Sequence, residues 1–134
     1  MVRKCDYEGF HDYVFHYTDP ISALSILTDG HIYSYLMPTD FEKFGQKPYI
    51  YFTKLKPTSK NEDLVNSIYD LSNLGSKQLQ KIHRSKFRKL HYAFGFKRDD
   101  LKSCLKKYSP FNKELTKFDG DLELNSFKFI LVVR

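Results

Sequence analysis

Apolar and polar positions along this chain form short strand-like runs, with helix-like spacing between some of them. Runs rich in β-branched and aromatic residues predict strands over 13–17, 31–35, 49–53, 91–96, 111–118 and 126–133. Apolar residues three and four apart predict helices over 20–29, from residue 61 onward, over 77–90 and over 99–107. This order of elements predicts an α+β fold rather than regular βαβ alternation.

The first helix has the clearest predicted boundaries. Asp19 is a preferred N-cap, Pro20 suits the first helical position, and Gly30 can adopt the left-handed conformation that ends a helix. The apolar stripe expected to pack on the core consists of Ile21, Leu24, Ile26 and Leu27. A polar loop is expected over 38–48.

Composition predicts one folded domain that covers residues 1–134. The chain has 134 residues, of which 41% are hydrophobic and 16% aromatic, too many for a disordered chain. No apolar run approaches the roughly 18 residues of a membrane span, and the polar start at Met1 lacks the core of a signal peptide. We therefore expect no membrane partner, and either a cytoplasmic location or delivery as an effector into another cell.

Cys5 and Cys104 are expected to be reduced thiols without a chemical role.

Positive charge is concentrated in one part of the chain. The net charge is +6, and between Lys77 and Lys107 eleven Lys and Arg residues stand against only Asp99 and Asp100. This imbalance favours an anionic partner, such as nucleic acid, a membrane surface or a phosphate-rich small molecule. A solvated helix face has the same pattern and is the alternative.

The sequence contains no phosphate-binding loop, no Gly-x-Ser-x-Gly motif and no His-x-x-x-His pair. The histidine spacing therefore predicts no metal site. His16 stands out because it lies in an otherwise apolar strand, just before a capped helix. A buried histidine needs a hydrogen-bond partner, which is either another protein group or a ligand.

Three segments in order resemble the ADP-ribosyltransferase superfamily. They are Phe15-His16-Tyr17-Thr18, the apolar helix that ends in Asp-Gly-His-Ile, and Tyr49-Ile50-Tyr51-Phe52-Thr53. The resemblance is closer to the branch with a His-Tyr-Glu triad, which includes the poly(ADP-ribose) polymerases and the diphtheria-type toxins. It covers most of the chain from Tyr13 onward. It implies a split β-sandwich of two small antiparallel sheets with flanking helices, and an NAD cleft between the sheets.

The chemistry of that family implies roles for individual residues. Cleavage of the nicotinamide–ribose bond of NAD develops positive charge on the sugar, which a nearby carboxylate stabilises. The resemblance implies that Glu114 is this catalytic carboxylate; Glu123 is the rival, and neither is a third possibility. The residues implied to bind NAD are His16, Tyr17 and Thr18 of the first motif, Tyr51 and Phe52 of the second, and Ser59.

Some of these positions have a second interpretation. Ser59 is also suited to the start of the following helix. Glu62 occupies the place of the second stacking tyrosine in the polymerase-like pattern, and the tyrosines that could replace it are Tyr17, Tyr33 and Tyr69. Arginine-modifying relatives carry Glu or Gln where this chain has Asn112, which argues against arginine as the acceptor.

The expected function is transfer of ADP-ribose from NAD to a protein or nucleic-acid acceptor. An NAD glycohydrolase, an RNA 2′-phosphotransferase-like enzyme of the same fold and a catalytically inactive relative are alternatives. A different class of function is a non-catalytic nucleic-acid-binding module, in which basic side chains follow the phosphate backbone. The basic residues on which this alternative depends are Lys81, Arg84, Lys86, Arg88 and Lys89.

Overall fold

The computed structural model of the protein describes residues 12–34, 49–69, 87–109 and 112–134. The strands in these ranges are β1 (Tyr13–Thr18), β2 (His31–Ile32), β3 (Tyr49–Thr53), β4 (Tyr92–Lys97), β5 (Leu105–Ser109), β6 (Asn112–Asp119), β7 (Leu122–Glu123) and β8 (Phe129–Val133). The α-helices are α1 (Pro20–Asp29), α2 (Asn61–Tyr69) and α3 (Arg98–Leu101), and 3-10 helices lie at Phe87–Leu90 and Leu124–Ser126. The loop expected over 38–48 and most of the helix expected over 77–90 lie outside the described residues.

The strands form two antiparallel sheets, so the expected α+β class is confirmed. The larger sheet has six strands in the order β5-β6-β3-β1-β4-β8, and the smaller sheet pairs β2 with β7. β1 is therefore an inner strand of the large sheet, although it comes first in the chain. It pairs with β4 along its whole length, but with β3 only at Phe15↔Thr53.

The two faces of the large sheet carry separate hydrophobic cores. Side chains along a strand alternate between faces, so Val14 of β1 packs in the first core and Phe15 in the second. Helix α1 and the small β2–β7 sheet contribute to the first core. Helix α2 and the 3-10 helix at Phe87–Leu90 contribute to the second.

Helix α1 begins and ends as the sequence predicts, but it packs on a different side. The Asp19 carboxylate accepts the backbone N–H of Ser22 at 2.7 Å, and Gly30 has a φ of 73°. The buried side chains are Ala23 and Ile26. The exposed fractions of the other stripe residues are 80% for Ile21, 66% for Leu24 and 45% for Leu27. The stripe prediction is wrong for these three, because α1 has apolar side chains on more than one side and tertiary contacts select the side with the small alanine.

Other segments also differ from their predicted secondary structure. The helix expected over 99–107 is limited to α3, because the chain then turns and enters β5. β5 pairs with β6 from Leu105↔Phe118 onward, so hydrogen bonding to a neighbouring strand overrides the local helical spacing. The strand expected over 31–35 is limited to β2 in the described part. Within the predicted helix over 77–90, the described residues 87–90 form a 3-10 helix.

Gly95 lies at a point of close contact on β4. Its Cα pairs with Phe15 of β1 on one side and with Ile130 of β8 on the other. A Cβ at this position would lie 2.7 Å from Phe15 Cε1 and 2.8 Å from Ile130 Cγ1, closer than carbon atoms pack. The missing side chain therefore allows Phe15 to lie over β4.

Replacing Asp19 by Ala removes the N-cap of α1. We expect Asp19→Ala to lower the free energy of unfolding by about 1 kcal/mol, the usual cost of losing a capping side chain. Asp29→Ala is the matched control, because it makes the same substitution at the C-terminal end of the same helix, where the helix dipole disfavours a carboxylate. Urea unfolding measures both values, and an equal loss in the two variants contradicts the capping role.

Gly95→Ala places a methyl group against Phe15 and Ile130. We expect it to lower the free energy of unfolding by about 1–3 kcal/mol, the usual cost of overpacking a core. Phe15→Leu in the same protein makes room for the methyl group, so a double-mutant cycle should show that the two costs are less than additive. Strict additivity would mean that the two side chains do not meet.

Candidate functional site

The strands that carry the three sequence motifs are neighbours in the large sheet. His16 lies in β1, Tyr51 in β3 and Glu114 in β6, and the order across this part of the sheet is β6-β3-β1. Thr53 of β3 pairs with β1 on one side and with Leu115 of β6 on the other. Glu114 therefore comes directly before Leu115, whose partner Thr53 also pairs with Phe15 of β1.

His16 bridges β1 and β3 just beyond their one register pair. Its Nδ1 atom is 3.1 Å from the backbone oxygen of Tyr51. A carbonyl oxygen can only accept a hydrogen bond, so the ring donates and Nδ1 carries the proton. The side chain thus connects the two strands where their backbone pairing ends.

Burial favours the neutral form of His16. Loss of solvation lowers its pKa below the ordinary value of 6.5, and the hydrogen bond to Tyr51 opposes this shift only in part. When the neutral ring is protonated on Nδ1, Nε2 is a hydrogen-bond acceptor. No group in the described residues bonds Nε2, and part of the side chain is exposed. Such an acceptor is normally satisfied by water or by a ligand.

Thr18 provides a second polar atom on the same face of β1. It lies two residues beyond His16, a separation of about 7 Å along a strand. Its side chain is only 8% exposed, and its hydroxyl has no hydrogen-bond partner within the described ranges. His16 and Thr18 together form the candidate site, on the face of the first core.

The sheet separates the motif tyrosines from His16. The Tyr17 side chain packs in the second core, where its hydroxyl donates to the backbone oxygen of Leu55 at 2.8 Å. Tyr51 has the same orientation; its ring packs edge-on against Tyr49, and the two hydroxyl oxygens are 2.8 Å apart. The expected NAD-binding set is therefore divided, because consecutive residues of a strand face opposite sides.

Phe52 shares the face of His16, and their ring centroids are 6.0 Å apart. It is fully buried, however, and packs edge-on against Phe96 at 5.7 Å and Phe118 at 6.3 Å. Phe52 therefore supports the histidine ring from within the core and is not placed to touch a ligand.

Ser59 lies in the turn that leads into α2, which packs on the second core. Its backbone N–H donates to the oxygen of Lys56 at 2.9 Å, and its own backbone oxygen accepts from Arg134 at 2.7 Å. Tyr69 is the last residue of α2, and its side chain lies outside the described part. Helix α2 is thus on the opposite face from His16, and the location of Ser59 agrees with its second interpretation as part of the helix start.

The two candidate carboxylates belong to different sheets. Glu114 lies in β6, beside the strand of Tyr51, although its side chain is outside the described part. Glu123 is exposed in the small sheet, where it pairs with His31. Only β6 is in the same sheet as His16, so the arrangement of strands favours Glu114.

The remaining alternatives lie at the surface or beyond the described ranges. Tyr33 is 59% exposed and stacks beside His31 at 5.9 Å, away from the large sheet. Glu62 is exposed in the first turn of α2. Asn112 is the first residue of β6. The basic residues Lys81, Arg84 and Lys86 lie outside the described residues. Arg88 lies in the 3-10 helix at Phe87–Leu90, but its side chain is not described.

Arg134 organises a cleft that sequence reasoning missed. Its guanidinium donates four hydrogen bonds of 2.7 to 3.3 Å. The acceptors are the backbone oxygens of Pro57, Ser59 and Leu90 and the side-chain oxygen of Asn61. This cleft has a volume of about 270 Å³ and is not lined by His16. No sequence pattern marks Arg134, because most of its acceptors are backbone atoms that any residue provides.

Comparison with models of known protein families gives no match, and comparisons with curated proteins and with solved structures give none either. In the described part of the chain, no group of three or more His, Cys, Asp and Glu could hold a metal ion. No helix there is long and apolar enough to cross a membrane. The function is therefore inferred from the chemistry and arrangement of the chain's own residues.

The lowered pKa of His16 makes stability depend on pH. Above pH 6.5 the imidazole is neutral in the folded and the unfolded chain; as the pH falls below 6.5, the unfolded chain binds the proton first and stability is lost. His16→Asn keeps an N–H donor for the Tyr51 oxygen but cannot titrate. We expect urea unfolding between about pH 7.5 and pH 5.5 to show a larger loss of stability in the unaltered protein than in this variant. Parallel pH profiles would contradict the lowered pKa.

Proposed function

We propose that the protein is an NAD-dependent ADP-ribosyltransferase, which cleaves the nicotinamide–ribose bond and transfers ADP-ribose to a protein or nucleic-acid acceptor. The observation that carries the proposal is that β6, β3 and β1 are neighbours in one sheet. These strands hold Glu114, Tyr51 and His16, which are widely separated in the chain. The order of motifs along a sequence is compatible with many sheet orders, so this contiguity is independent support for a site between the strands of His16 and Glu114, to which Tyr51 contributes its backbone oxygen.

The limited register pairing between β1 and β3 supports the same proposal. The large sheet consists of two three-stranded halves, β5-β6-β3 and β1-β4-β8, which meet in a single register pair, Phe15↔Thr53. We place the proposed NAD cleft at this junction, beside His16.

His16 and Thr18 are the proposed ligands of the adenosine-side ribose. Nε2 of His16 accepts a hydrogen bond from a ribose hydroxyl, and the Thr18 hydroxyl adds a second polar contact on the same face. Tyr51 is a positioning residue, because its backbone oxygen holds the imidazole in the Nδ1-protonated form. The lowered pKa of His16 serves this role, since only the neutral ring has an acceptor nitrogen.

Glu114 is the proposed catalytic carboxylate. As the bond between ribose and nicotinamide breaks, positive charge develops on the sugar, and a fixed negative charge beside it interacts most strongly in the transition state. The nucleophile of the acceptor then attacks the sugar, and nicotinamide leaves. Hydrolysis of NAD is the same reaction with water as the nucleophile, so the acceptor decides between transferase and glycohydrolase.

Release of nicotinamide from labelled NAD tests this proposal. We expect Glu114→Gln, which keeps the size of the side chain and removes its charge, to lower the rate by about 100-fold or more. His16→Ala should mainly weaken NAD binding and thus raise KM. Glu123→Gln is the matched control, because it removes a carboxylate from the small sheet, and it should retain the activity.

Three results would count against these assignments. Absence of NAD binding in calorimetry at millimolar NAD overturns the proposed function. Loss of activity in Glu123→Gln, with retention in Glu114→Gln, contradicts the role given to β6. Label that stays free in solution, even with proteins and nucleic acids present as acceptors, identifies a glycohydrolase instead of a transferase.

A further inference from the structure

A second cleft, with a volume of about 430 Å³, lies at one end of the large sheet. Its lining residues are Lys97, Asp100, Ser126, Phe127 and Lys128. Lys97 ends β4 and pairs with Tyr13, three residues before His16, so the cleft lies about 10 Å along β1 from the candidate NAD site. A volume of this order suits a small organic ligand or one unit of a polymer.

Two lysines stand opposite each other at this cleft. Lys97 and Lys128 follow the last register pair of β4 and β8, Phe96↔Phe129, and so lie across from each other at the end of the ladder. Both are exposed, and neither forms an ion pair with a described residue. Like charges in opposing positions repel, so this arrangement costs stability unless an anion lies between them.

The other lining residues restrict the chemistry of that anion. Phe127 is half-buried, packs edge-on against Phe96 at 6.4 Å and lines the cleft. Bases stack on aromatic side chains. Asp100 is exposed, and a carboxylate in this position can accept the hydroxyl groups of a ribose. The Ser126 hydroxyl donates to Glu123 at 3.4 Å, so its oxygen can still accept a hydrogen bond.

We propose that this cleft binds the phosphate, ribose and base of a ribonucleotide, in an RNA strand or free. The phosphate lies between Lys97 and Lys128, the base stacks on Phe127, and Asp100 accepts a ribose hydroxyl. The net charge of +6 attracts such a polyanion. An acidic peptide could pair with the lysines, but it would leave Phe127 unused.

Fluorescence anisotropy with a labelled oligouridylate of about 12 nucleotides tests the phosphate contact. We expect Lys97→Gln and Lys128→Gln each to weaken binding several-fold at low salt. Each should also reduce the slope of log affinity against log salt, between about 50 and 200 mM, by about 0.7. The matched control is Lys106→Gln, which removes the same charge from a lysine paired with Asp119 at 2.7 Å on β5. Equal losses in all three variants indicate a general charge effect and overturn the proposal.

Separate variants test the base contact and the ribose contact. Phe127→Leu keeps the apolar contact with Phe96 and removes the stacking surface, so binding should weaken by about five-fold or more. Asp100→Asn should reduce the preference for RNA over DNA of the same sequence. Equal binding of RNA and DNA by the unaltered protein overturns the ribose assignment, and displacement of the RNA by polyglutamate at equal charge overturns the nucleotide assignment.

Competition identifies the source of the ribonucleotide. If uridine monophosphate displaces the oligonucleotide at a comparable concentration, the natural ligand is a free ribonucleotide. If only the strand binds, the ligand is RNA. Either result supports ribonucleotide binding at this cleft. The test is also separate from the NAD chemistry. Lys97→Gln and Lys128→Gln should leave nicotinamide release unchanged, and His16→Asn should leave RNA binding unchanged. Each proposal can therefore fail without the other.

Discussion

The unequal pairing of β1 with its two neighbours is the constraint on which the rest of this structure depends. Toward β4 the ladder is complete, and Phe15 lies over Gly95 because that position has no side chain. Toward β3 the register pairing is limited to Phe15↔Thr53. This asymmetry attaches β1 to the β4 half of the sheet. The β3 half is joined to it by one register pair, by the hydrogen bond from His16 to Tyr51 and by side-chain packing such as that of Phe52 on Phe96.

The junction between the halves explains why polar atoms are tolerated in this part of the sheet. A strand paired on both sides and covered on both faces has no place for an unsatisfied polar group, because desolvation without a partner is costly. At the junction, His16 uses Nδ1 to hold β3 and retains Nε2 as an acceptor. One residue thus serves the fold and the proposed chemistry through different nitrogens.

Local signals in the sequence predicted local structure well. Asp19, Pro20 and Gly30 set the limits of α1, and the aromatic and β-branched runs became β1, β3 and β4. The errors arose where a distant partner decides the outcome. Residues 105–107 belong to a predicted helix but pair with β6, and α1 buries the side that carries Ala23. Sequence spacing contains neither the partner strand nor the direction of the core.

By itself, the sequence determined an α+β domain with a capped helix after its first strand, and the order of His16, Tyr51 and Glu114 along the chain. These depend on alternation, capping and charge, which act between near neighbours. Only the tertiary structure decided that β6, β3 and β1 are adjacent and that the register pairing of β1 with β3 is limited to Phe15↔Thr53. Period-two alternation places neighbouring residues on opposite faces of any strand. Whether such a face becomes a core or a cleft depends on the elements that cover it, and those come from distant parts of the chain.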